Sequence, residues 1–68
     1  MSKEVSFLIY CVEQFKTYKQ LSGKEAMRLF EQYGVTEYIL SCYEALHTTG
    51  VRYIMEDIDA YLMDQKGA

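Results

Sequence analysis

His47 is the one imidazole in the sequence, and Cys42, Glu44 and Asp57 are the residues that could join it in a metal or acid–base site. A metal needs about four donors converging at bonding distance. Helical spacing works against that. Val35, Tyr38, Ile39, Cys42, Tyr43 and Leu46 recur every three or four residues, so Cys42 is read as buried on their stripe while Glu44 points away from it. A histidine just past a helix end is expected to bond the last carbonyls, and its positive form is favoured there by the helix dipole. Thr48 and Thr49 have hydroxyls that can cap the next helix or turn the chain. No serine or cysteine has an evident base beside it, and the four glycines stand singly, so neither an activated nucleophile nor a phosphate cradle is visible. Glu56, Asp57, Asp59 and Asp64 lack the alternation and central glycine of a calcium loop and are read as a solvated face. No enzyme activity, metal, cofactor or small-molecule ligand is expected.

The elements that must carry these residues are helices. Ser2 can cap a first helix that runs without proline or glycine over 3–20. Val5, Leu8, Val12 and Phe15 with Lys19 form one of its stripes, and Phe7, Cys11 and Tyr18 form a neighbouring one, so its apolar arc is wider than a surface helix needs. Ser22 and Glu25 make the S-x-x-E box that opens a second helix, 23–33, with Ala26, Met27, Phe30 and Tyr33 inward and Gly34 as a left-handed stop. Thr36 can cap a third helix, 36–47, and Gly50 can end the turn after it. A fourth helix is expected over 52–65. Val51, Ile54, Ile58, Tyr61 and Leu62 fit its stripe, although the acids at 56, 57 and 59 favour a start near residue 55 and leave Val51–Ile54 open between a first turn and an extended lead-in. Lys66, Gly67 and Ala68 read as a frayed end. The fold expected is an all-α bundle of about four short helices in a single domain, 1–68.

A core of this size rarely supplies more than about 3–5 kcal/mol, and such chains usually need a staple, a metal or a partner. Half of the residues are hydrophobic and seven are tyrosine, a side chain with an apolar body and polar tip that is favoured at interfaces. The two cysteines, Cys11 and Cys42, have no metal-type spacing and read as small buried hydrophobes, so the protein is expected to be cytoplasmic and reduced. The apolar run from Val5 to Val12 follows one lysine and precedes no small-residue cleavage site, and no run approaches a membrane span. Residues 1–34 carry five basic and four acidic side chains, residues 35–68 two and six, which gives a net charge of −3 weighted to the second half. That balance argues against wrapping nucleic acid. Lys16, Lys19, Lys24 and Arg28 gather at the first corner, as a solvated rim or as partners of the acidic last segment.

Lys24 to Leu46 can be drawn as helix, tight turn, helix, and a small helix-turn-helix DNA-binding regulator is the alternative reading. Its second helix offers Glu37, Ser41 and Glu44 where a DNA reader presents basic or amide groups.

The opening SFLIYCVEQF, the segment LSGKEAMRLFEQYGVTEYI, the Tyr-x-x-x-His-Thr spacing of Tyr43, His47 and Thr48, and Asp57-Ile58-Asp59 with Tyr61 together resemble a family of short, uncharacterised bacterial proteins described as a domain of unknown function. The resemblance spans nearly the whole chain. The resemblance implies a setting in which members are sometimes encoded beside other small proteins, some resembling ADP-ribosyltransferase-like toxins, and with it an antitoxin-like or accessory binding role. The expected function is a non-enzymatic protein–protein interaction module that forms a homodimer or docks on a protein partner, with Phe7, Tyr10, Tyr43, His47, Thr48, Asp57 and Asp59 as its candidate contact or motif residues.

Overall fold

The structure is a computed structural model that describes residues 2–67, and over them it forms five helices and no strand: α1 (Lys3–Lys19), α2 (Gly23–Gln32), α3 (Val35–Ser41), α4 (Tyr43–Leu46) and α5 (Val51–Gly67). The all-α expectation holds. Ser2 caps α1 by accepting the Val5 N–H at 3.1 Å, and Gln20 closes it in the left-handed region at φ 56°. At the next corner the capping box is complete. Glu25 N–H donates to Ser22 Oγ and Ser22 N–H to Glu25 Oε1, at 3.1 and 2.9 Å. The Ser22 backbone N–H, and after it the Ser22 hydroxyl, hold the Glu25 carboxyl below the usual glutamate range. Gly34 takes up the expected left-handed turn at φ 69°.

The expected third helix is in fact two. Cys42 sits at φ −101° and ψ 14°, which interrupts the run, and Ser41 Oγ donates to the Glu37 carbonyl at 2.7 Å, a back-bond that favours bending. Thr36 is not a cap, because α3 begins at Val35 with Gly34 before it. The last helix begins at Val51. Val51–Ile54 is therefore its first turn, with Ile54 N–H donating to the Gly50 carbonyl, and Glu56, Asp57 and Asp59 lie inside the helix rather than at its start. Packing of Ile54 and Met55 outweighs the modest dipole preference of those acids. Lys66 and Gly67 belong to α5, and Ala68 lies outside the described residues.

The core is formed by Cys11, Val12 and Phe15 of α1, Ala26 and Phe30 of α2, Val35 and Ile39 of α3, and Ile54, Met55, Ile58 and Leu62 of α5. Phe15 and Phe30 meet at a centroid distance of 5.4 Å. Each such large side chain contributes about 1.5–3 kcal/mol on burial. α1 packs against α2, α3 and α5, so its inner face is covered on three sides. Its flanks are not. Val5, Ile9, Tyr10 and Tyr18 stay 40–48% exposed, and Met27 and Val51 beside them 39% and 41%, so Val5, Tyr18, Met27 and Val51 leave the buried stripes assigned to them. Cys42 is half-buried rather than buried, because the break rotates it off the inward face.

Candidate functional site

Two aromatic clusters gather the residues that sequence singles out. The first lies where α1 meets α4. Phe7 stacks beside Tyr10 at 6.2 Å and meets Tyr43 edge-on at 5.5 Å, and Tyr43 stacks on His47 at 4.2 Å with the planes 5° apart. The His47 ring is fixed by a second constraint, a 2.7 Å contact between Nδ1 and the Tyr43 carbonyl. A carbonyl only accepts, so Nδ1 carries the proton, and in the neutral ring Nε2 is left as an outward acceptor. The positions are three and four apart along α1 and α4, the spacing that brings helical neighbours together. Thr48 Oγ1 donates to the Ala45 carbonyl at 3.5 Å and Thr49 Oγ1 to the Leu46 carbonyl at 2.7 Å. Both hydroxyls turn the chain; neither caps α5.

The second cluster joins α3 to α5. Tyr38 and Tyr61 stack at 3.9 Å and 10°, and the Tyr38 hydroxyl donates to Asp57 Oδ2 at 2.6 Å, a short charge-assisted bond. That bond, followed by burial, holds the Tyr38 phenol above its ordinary value. Asp59, two residues on, faces Lys19 of α1, with Nζ 3.1 Å from Oδ1. Oδ1 is closed off from solvent and the ammonium approaches it off the direction of a good hydrogen bond, so charge rather than a directed bond compensates it. With both side chains partly exposed, the pair contributes little to stability. Asp57 and Asp59 thus bind within the fold. Among the described residues, Lys19 is the corner cation that forms an ion pair with the last helix, while Lys16 pairs with Glu13 of its own helix at 3.1 Å.

Phe7, Tyr10, Tyr43 and His47 therefore come together, Thr48 sits at the end of their row, and Asp57 and Asp59 belong to the other cluster. Among the described residues no three His, Cys, Asp or Glu side chains gather as a metal site, and no helix is long and apolar enough to cross a membrane. Burial pushes the Cys11 thiol up to about 12, which keeps it protonated and unreactive at neutral pH. Sequence reasoning did not single out Tyr38, whose stripe position gives no hint of its bond to Asp57 nineteen residues later. It also passed over Ile9, Tyr53 and Met63, which are 48, 57 and 60% exposed. An apolar residue on the far side of a helical wheel was the available signal for those.

Residues 6–65 match the family model DUF3791, described as a protein of unknown function. The chain belongs to this family. No curated protein and no solved structure matches it. Within DUF3791 the chain thus has a fold and two aromatic clusters on which a function can be argued.

Proposed function

We propose that this DUF3791 chain is a non-enzymatic protein–protein interaction module, self-associating or docking on a partner protein, in an antitoxin-like or accessory role. The observation that carries the reading is the uncovered apolar surface on both flanks of α1. Leu8, Ile9 and Val12 with Met27 line a groove on the α2 side, and Tyr18, Val51 and Met55 line one of about 370 Å³ on the α5 side. Apolar surface of this kind, rimmed by polar residues, marks contact sites. The groups that could do chemistry support the same reading, since the Thr48 and Thr49 hydroxyls, the Asp57 carboxylate and the Cys11 thiol are all tied to structural roles. The helix-turn-helix reading gains less: α3 is seven residues long, and Glu37, Ser41 and Glu44 are exposed on α3 and α4.

Sedimentation velocity of the pure protein at micromolar concentration tests this, beside capture of partners from its own cells by the wild type and by Ile9→Lys. A dimer, or a partner captured by the wild type and lost with Ile9→Lys, is the expected result. A monomer at every concentration whose captured proteins are unchanged by Ile9→Lys contradicts it.

A further inference from the structure

The row Tyr10, Phe7, Tyr43, His47 carries an inference about what the partner presents, and it rests on the interaction reading above. With the His47 ring neutral, every group the row offers is suited to a cation. The exposed or half-buried rings carry negative π-faces that attract ammonium and guanidinium groups. With Nδ1–H donating to the Tyr43 carbonyl, the outward Nε2 of His47 accepts hydrogen bonds. Glu44 is exposed beside Tyr43 on α4, and from Leu29 to Val51 the chain has three carboxylates and no lysine or arginine. On the α1 side, Lys3 and Glu4, one turn before Phe7, offset each other. The same recognition is used inside the fold, where Lys19 Nζ lies 5.9 Å from the Tyr18 ring and Lys66 Nζ 5.9 Å from the Tyr33 ring.

We propose that this aromatic row is the docking surface for an arginine-bearing segment of a partner protein, with the guanidinium against the exposed ring surface of the row and donating to Glu44 and, in the plane of the imidazole, to His47 Nε2. Arginine fits better than lysine because its flat, weakly hydrated fork can stack and donate at once. A nucleic acid could also stack on such rings, but its phosphates would face carboxylates.

The probe is acetyl-arginine amide, titrated into the protein while the ring resonances of Phe7, Tyr10, Tyr43 and His47 are followed by NMR, with acetyl-norvaline amide and oligo(dT) in parallel. The expected result is saturable shifts confined to the row for the arginine probe alone. Affinity should fall at least threefold in Glu44→Gln and in His47→Phe, which keeps the stack and removes the acceptor, with helix content unchanged. Shifts spread evenly over exposed acids such as Glu56 and Asp64, equal shifts with norvaline, or row-specific binding of oligo(dT) would overturn the proposal. A dimer in the sedimentation experiment without row-specific arginine binding would overturn this proposal and leave the interaction reading standing.

Discussion

The two aromatic clusters use the same residue types to opposite ends. In the α3–α5 cluster the Tyr38 ring lies flat on Tyr61 and its hydroxyl is spent on Asp57, so apolar and polar needs are met inside the chain. In the α1–α4 row the rings stack on one another, but Tyr10 is 41% exposed and His47 turns an acceptor nitrogen outward. Burial with a satisfied polar tip makes a tyrosine structural; exposure with an unused tip leaves it available to another molecule. The same contrast separates the covered inner face of α1 from its bare flanks.

The contrast is broken most forcefully in the core. Phe15→Ala, at a side chain with no exposure, is expected to cost about 3–5 kcal/mol. That is the whole stability of a domain this size, so circular dichroism should show an unfolded chain. Ile9→Lys on the bare flank should leave the unfolding free energy within about 0.5 kcal/mol of wild type. Within the clusters, Tyr38→Phe strips Asp57 of its donor and should destabilise by about 1–2 kcal/mol in urea unfolding, whereas Tyr10→Phe should change stability by less than about 0.5 kcal/mol.

Alkali sharpens the comparison from another side. Cys11 is raised from 9.0 to about 12 in the folded protein, and Tyr38 is raised above 10.0. A group whose folded value is raised keeps its proton longer in the native state, so its stabilisation is complete below the unfolded value and is lost as pH climbs towards the folded one. Stability measured by urea unfolding should therefore hold to about pH 9 and then fall by about 1.4 kcal/mol per unit as the Cys11 thiol titrates in the unfolded chain, steepening above pH 10 as Tyr38 joins it. Cys11→Ala should remove the fall between pH 9 and 10, and Tyr38→Phe should relieve the steepening above it. Modest effects are expected at the two left-handed corners, where Gly34→Ala should cost about 1 kcal/mol and Gln20→Gly should gain somewhat less, both read as shifts in melting temperature.

Those corners also show how far sequence reached. The stop at Gly34 was legible because glycine tolerates a positive φ, and the Ser22–Glu25 box because its two bonds are local. The left-handed Gln20 was not, since glutamine carries no such signature and the conformation goes with the Leu21 N–H donating back to the Lys16 carbonyl at 2.8 Å. The break at Cys42 was hidden inside an unbroken helical stripe without glycine or proline. It brings Tyr43 edge-on to Phe7, a contact between helices that helical spacing alone could not supply. Val5, Phe7 and Leu8 gave the excess width of α1 correctly, but which flank stays bare depends on where α2 and α5 come to rest.

Methyl NMR spectra recorded from micromolar to millimolar protein, and again with any captured partner, compare the covered and uncovered regions in a single measurement. Association through the α1 flanks predicts that the methyl signals of Val5, Ile9 and Met27 move while those of Ile39, Ile58 and Leu62 stay fixed. Flank signals that hold still throughout, or core signals that move as far as they do, would contradict the account.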